Sequence, residues 1–233
     1  MSVPPPVPAR PVSRTTWLGP ARAADDPATP LLVLLHGYGS HEGHMLALAP
    51  ALQMFLPGVS ARVLAVRGSF PATERRLAGG SAWFPGPLME QPPAADIALV
   101  ADRVADAIRT HAAPRGPVVV AGFSQGMCTA ITVLRRHPAL ITGLVGLSGY
   151  LYDTVEPGDA ELAVRTTAGH GIPAFVGYDP ADPRVPAVAR QWAVDFLRAH
   201  TALTERTYPG MGHSVAPAEV MDVAGFLRSL LTD

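Results

Sequence analysis

Apolar positions along the chain fall into two kinds of run that take turns. Short continuous runs, too brief for a helix, occur at Leu31 to Leu35, Arg62 to Val66, Val118 to Gly122, Gly143 to Ser148 and Pro173 to Tyr178. Such runs suit strands buried on both faces. Between them the apolar residues recur at helical spacing: Met45, Leu48, Leu52 and Phe55/Leu56; then Ile97, Val100, Ala101, Val104 and Ile108 within Asp96 to His111. The same period returns after residue 124 as far as Arg136, through Val188, Ala189, Trp192, Ala193 and Phe196, and through Val220, Val223, Ala224, Leu227 and Leu231. Thr15 to Leu18 reads as an edge strand and Glu205 to Tyr208 as a last strand. Buried strands alternating with amphipathic helices predict an α/β fold, a mostly parallel central sheet with helices on both faces.

The interruptions carry further information. Residues 1–12 hold Pro4, Pro5, Pro6, Pro8 and Pro11 and read as a poorly ordered, partly polyproline arm ahead of a single domain over 13–233. From Arg67 to about Pro93 no period is visible, and loops of this length in compact domains are functional or disordered. This one contains Ser81-Ala82-Trp83-Phe84-Pro85, aromatic bulk that can line an apolar substrate groove or pin the loop to the core. Only about twenty residues, Tyr150 to Ile172, separate two of the strands, too few for a separate cap domain, so an open cleft is expected.

Composition narrows the setting. A chain of 233 residues with 48% hydrophobic content can bury one sizeable core, and a net charge of −1 without long charge runs argues against nucleic acid and anionic membrane surfaces as partners. A small-molecule substrate suits that balance. The lone Cys128 cannot form an internal disulfide and is expected as a buried packing residue. Neither a signal-peptide core near Met1 to Arg14 nor a stretch of 18 apolar residues is present, so no integral membrane segment is expected and the default location is cytoplasmic.

The chemistry concentrates where an apolar strand runs through a sharp turn into a helix. There Gly122-Phe123-Ser124-Gln125-Gly126 fits G-x-S-x-G, which presents a nucleophilic hydroxyl on a strained elbow, with small residues on either side so that strand and helix approach closely. The N–H of Gln125 would open the helix and face a developing oxyanion. A second donor is expected from the loop His36-Gly37-Tyr38-Gly39-Ser40 at the carboxyl end of another strand, with the main chain of Tyr38 as the candidate. His36 itself reads as a hydrogen-bonded packing residue. His41 and His44 have H-x-x-H spacing without a third ligand nearby, so no metal is expected.

An aspartate on the turn after Tyr178 and His213 on a Gly-rich loop complete the order Ser, Asp, His, the chain order of α/β-hydrolases. A hydroxyl needs an imidazole to take its proton, and the imidazolium needs a carboxylate to orient it. Asp179 and Asp182 compete for that role, and spacing alone does not choose between them. The reading is a serine hydrolase of esters working through an acyl-enzyme. Its competitors are thioesterase or lysophospholipase activity at the same site, and a non-catalytic ligand-binding protein on a hydrolase fold.

Leu35-His36-Gly37-Tyr38-Gly39, Ala82-Trp83-Phe84, Gly122 to Gly126, Asp182-Pro183-Arg184-Val185-Pro186 and Gly212-His213 together resemble the phospholipase/carboxylesterase family, which includes bacterial carboxylesterases and acyl-protein thioesterases. The resemblance implies an α/β-hydrolase fold without a separate cap, with Asp182 as the triad acid and the main chains of Tyr38 and Gln125 as oxyanion donors. Members are typically cofactor-free hydrolases of carboxylic ester or thioester bonds and often dimeric, a homodimer in the case of this chain. Two positions depart from the pattern: Asp179-Pro180 stands where Gly-Asp is usual, and Met127 where a further Gly is common. The expected substrate-binding residues are Trp83, Phe84 and Met127, the last adding bulk beside the elbow.

Overall fold

The computed structural model describes residues 13–23, 25–74, 77–85 and 90–232; the proline-rich arm expected at residues 1–12 lies outside the described residues. The strands are β1 (Ser13–Leu18), β2 (Leu31–Leu35), β3 (Ala61–Val66), β4 (Phe70–Pro71), β5 (Ser81–Ala82), β6 (Val118–Phe123), β7 (Gly143–Leu147), β8 (Pro173–Tyr178) and β9 (Ala202–Thr207). The helices are α1 (Glu42–Leu46), α2 (Leu48–Phe55), α3 (Ala94–His111), α4 (Gln125–Arg136), α5 (Asp159–Thr167), α6 (Ala187–His200) and α7 (Pro217–Leu231).

Seven strands form one sheet in the order β1-β3-β2-β6-β7-β8-β9, parallel throughout except for β1, which runs antiparallel to β3 at the edge. Why the strand runs lack polar alternation is visible in β2. Leu31, Val33 and Leu35 enter the core on one face of the sheet while Leu32 and Leu34 enter the core on the other. The first core takes the apolar stripe of α3 (Ile97, Val100, Val104, Ile108) together with α4, Leu162 of α5 and Leu197 of α6. The second takes Met45, Leu52, Val223 and Leu227 from α1, α2 and α7. Each such side chain withdrawn from water contributes roughly 1.5–3 kcal/mol against the entropy of ordering the chain. Among the described residues no helix is long and apolar enough to cross a membrane.

Four local features depart from the pattern reading. The helix predicted from Met45 to Leu56 is two helices that meet at Ala47, and it begins earlier, at Glu42, where His41 caps it by accepting from the Gly43 N–H. Pro50 explains the break: it has no N–H for the Leu46 carbonyl, so it is tolerated in the first turn of a new helix but not inside an old one. The segment from Arg67 onward is not wholly irregular, because β4 and β5 pair as a small antiparallel ribbon. The stretch between β7 and β8 holds α5, which packs beside α6 and not over the cleft. With Leu162 as its one buried residue, α5 has no apolar stripe to announce it. Finally β9 starts at Ala202, immediately after Thr201 closes α6 by donating its hydroxyl to Leu197.

Candidate active site

The central feature is the turn between β6 and α4. Ser124 has φ 55° and ψ −119°, a left-handed conformation that a non-glycine residue holds only when its surroundings force it. The forcing comes from both sides. A Cβ on Gly122 would collide with the Gly126 carbonyl, and one on Gly126 with the Leu35 carbonyl, so strand, helix and neighbouring strand meet backbone to backbone. The elbow expected from G-x-S-x-G is therefore present, and it lifts Ser124 to the carboxyl edge of the sheet.

Two further loops reach that edge. His213 lies between β9 and α7, and its Nε2 is 3.0 Å from Ser124 Oγ. Its Nδ1 lies 2.7 Å from Asp182 Oδ2, on the turn after β8. Since the carboxylate can only accept, the ring carries its proton on Nδ1 and offers the Nε2 lone pair to the serine hydroxyl. The second oxygen of Asp182, Oδ1, accepts from the Arg184 N–H at 2.8 Å, which fixes the carboxylate plane.

Asp179, the competing acid, is assigned a different position by the geometry. It is 2% exposed, its Oδ1 accepts from Ala181 N–H at 2.9 Å and its Oδ2 from Gly212 N–H at 2.7 Å. Those N–H groups, Ala181 first and Gly212 next, hold its carboxyl below the usual carboxylate range. Asp179 thus ties the acid turn to the residue preceding His213. Ser148, at the end of β7, adds a second tie by donating its hydroxyl to Ser214, and the Phe123 ring lies 5.0 Å from the imidazole. Nothing in the local sequence of Ser148 signals this role, because its partner is 66 positions away.

The loop after β2 closes the opposite wall. Gly37 and Tyr38 line the same cleft as Ser124, and the Cβ position of Gly37 falls 3.3 Å from that of Ser124. Gln125 is the first residue of α4, so its N–H is among those left without an intrahelical acceptor. Its side chain is committed elsewhere, accepting from Trp83 N–H at 2.8 Å. His36 supports the loop from beneath: its Nδ1 donates to the Gly37 carbonyl at 2.7 Å and its Nε2 accepts from Gly68 N–H at 2.9 Å. Burial drops its pKa to about 4, so it is the neutral packing residue that its position suggested.

The expected substrate-binding residues do not line the cleft. Trp83, Phe84 and Met127 are 1%, 2% and 1% exposed. Trp83 is a strut: its indole N–H donates to the His36 carbonyl at 2.6 Å. Met127 turns away from the cleft and fills the space that Gly146 and Gly149 leave over β7. An apolar side chain beside the elbow is driven inward by the same burial that builds the core, so the bulk expected next to the serine goes into packing. The walls of the cleft, which has a volume of about 340 Å³, are instead Gly37, Tyr38, Leu77 and Phe123 with the charged Glu74 and Arg184.

The remaining candidates have structural occupations. Cys128 is fully buried, which pushes its thiol up to about 12 and removes it as a nucleophile at neutral pH. His44 Nδ1 lies 2.8 Å from Ser40 Oγ, next to the capping His41. Among the described residues no group of three or more His, Cys, Asp or Glu side chains is gathered as a metal would require.

Residues 21–231 match the family model described as Phospholipase/Carboxylesterase. The chain is 33% identical over 136 residues to acyl-protein thioesterase 1 of Mycosarcoma maydis, a match covering 56% of this chain and 55% of that protein. It therefore spans about half the length of the curated relatives it matches. In three dimensions it superposes on acyl-protein thioesterase 2 of Zea mays with a TM-score of 0.68 and 24% identity, covering 94% of this chain and 99% of that one. The Bacillus cereus carboxylesterase gives a TM-score of 0.70 at 19% identity and 94% of each chain. These two likenesses speak to the fold, which is that of the α/β-hydrolases. With its family model covering nearly the whole described chain, the protein belongs to the phospholipase/carboxylesterase family.

Proposed function

We propose that the chain is a serine hydrolase of carboxylic esters and thioesters, with Ser124 as nucleophile, His213 as general base and acid, and Asp182 as the orienting carboxylate. One observation carries the reading: the unbroken hydrogen-bonded chain from Ser124 Oγ through the His213 ring to Asp182, with 3.0 and 2.7 Å links. In this scheme His213 Nε2 takes the hydroxyl proton as Oγ bonds to the acyl carbon, and the carbonyl electron pair collects on oxygen. The Tyr38 and Gln125 N–H groups receive that oxyanion. Collapse expels the alcohol or thiol, which leaves with the proton from Nε2. Water then repeats the sequence on the acyl-enzyme and releases the acid. The protein's own groups perform every step, and no cofactor is required.

Small and medium acyl chains suit this cleft, since Leu77, Phe123 and Tyr38 offer it apolar cover. Each methylene so covered gains roughly 0.8 kcal/mol. The thioester variant is favoured by the names of the relatives, and the ester variant by the carboxylesterase among the structural neighbours. The test is labelling by a fluorophosphonate probe, followed by turnover of an oxygen ester and a thioester of the same acyl group. Ser124→Ala should abolish labelling and lower kcat by roughly 10⁴ to 10⁶. A wild-type protein that neither labels nor turns over either substrate would be a binding protein on this fold.

A further inference from the structure

Arg184 is the central residue of Asp182-Pro183-Arg184-Val185-Pro186, and the structure holds its root firmly. Its N–H is bound to Asp182 Oδ1, Val185 beside it is 3% exposed, and Pro186 leads into α6. The two prolines restrict the backbone further. From this root the exposed side chain lines the cleft that contains Ser124 and His213. Among the described residues its guanidinium has no side-chain hydrogen bond or ion pair. The neighbouring Arg190 is by contrast engaged, donating to the Pro180 carbonyl and lying over the Tyr178 ring. Glu74, which also lines the cleft, has interactions of its own within the protein.

A guanidinium at the mouth of a small cleft, with its fork of donors uncommitted, is matched by a planar acceptor pair. We propose that Arg184 selects substrates bearing a carboxylate, placed on the acyl chain or on the leaving group within reach of the scissile bond. The inference rests on the esterase reading of the same site and names its substrate class. Partial exposure limits the strength of the contact, so the expected selectivity is about 5- to 30-fold in kcat/KM, between that of an exposed ion pair and a good charge-assisted hydrogen bond.

Two matched pairs test it. In the first, 4-nitrophenyl hexanoate is compared with the 4-nitrophenyl half-ester of adipic acid, which places the carboxylate on the acyl side. In the second, the butyryl ester of 4-hydroxybenzamide is compared with that of 4-hydroxybenzoate, which places it on the leaving group. The readout is the ratio of kcat/KM for the charged substrate to that for the neutral one. Arg184→Gln should lower that ratio about 5- to 30-fold in one pair, Arg184→Glu should lower it further, and Arg184→Lys should restore part of it. The wild-type ratio in the same pair should fall as salt is added. Which pair responds locates the arginine relative to the scissile bond. Ratios unmoved by Arg184→Gln in both pairs would overturn the proposal while leaving the esterase reading intact. Absence of turnover on all four esters, with no fluorophosphonate labelling, would instead remove the reading beneath it.

Discussion

Glu219 is the acid whose surroundings make the sharpest demand on solution behaviour. It stands in the first turn of α7, is 0% exposed, and neither of its carboxyl oxygens has a hydrogen-bond partner among the described residues. Its Oε1 occupies the space left by the missing side chain of Gly177, two residues before Asp179. Burial raises its pKa from an ordinary 4.5 to about 7, and the Asp222 charge adds to the rise. Tyr208, also against Gly177, directs its hydroxyl to Asp222. The folded state therefore keeps a proton that the unfolded chain has already released. The resulting penalty is absent below about pH 4.5, grows between 4.5 and 7, and is complete above 7. At about 1.4 kcal/mol per pH unit it reaches roughly 3 kcal/mol. Glu219→Gln copies the shape of the protonated acid and cannot ionise. Urea denaturation should show the variant more stable than wild type by about 3 kcal/mol at pH 8 and by less than about 1 kcal/mol at pH 5. A stability difference that stays constant from pH 5 to 8 would show that Glu219 is ionised in the folded protein, and the argument from burial would fail.

Two further predictions follow from the site itself. Asp182→Asn should lower kcat by about 10⁴, because it removes the acceptor that fixes the His213 tautomer. Asp179→Asn should cost about 10- to 100-fold: one oxygen remains for the Ala181 and Gly212 N–H groups, the amide nitrogen faces a donor, and the loop carrying His213 loosens. Equal losses in the two variants, measured as kcat on one nitrophenyl ester, would contradict this division of roles. Met127→Ala should lower stability by roughly 2–5 kcal/mol through the cavity it opens over Gly146 and Gly149. Its profile across nitrophenyl esters of graded acyl length should follow that of wild type, and a shifted optimum would return Met127 to the cleft.

The sheet and most helices were legible because a doubly covered parallel sheet leaves an unmistakable record: Leu31–Leu35 and Val118–Phe123 can be apolar without interruption only if both faces are buried. The elbow was legible for a related reason. Its two glycines are demanded by main-chain contacts within the motif and from the adjacent strand, so the requirement is written next to the serine it serves. What α5 lacks is that kind of record, since a helix with one buried residue obeys no visible period. The aromatic pair Trp83 and Phe84 was visible as bulk, but its direction was not, because the acceptors that draw Trp83 inward, the His36 carbonyl and Gln125 Oε1, lie 47 and 42 positions away.

The same distinction separates the parts of the site. Ser124 is fixed by its own neighbours in sequence, whereas His213 is fixed by residues that reach its loop from other strands. Asp179 holds Gly212 across 33 positions and Ser148 holds Ser214 across 66. Each is an ordinary polar residue at the end of a strand, and each acquires its role because parallel strands deliver their carboxyl ends to one edge of the sheet. Asp179, at the Asp179-Pro180 turn singled out in the sequence, takes part in this arrangement. The turn gives its first aspartate to the histidine's loop and its second to the histidine's ring. A hydrogen bond to each leaves the imidazole little freedom between the serine hydroxyl and its carboxylate, which is the preorganisation that the proposed proton transfer at Nε2 requires.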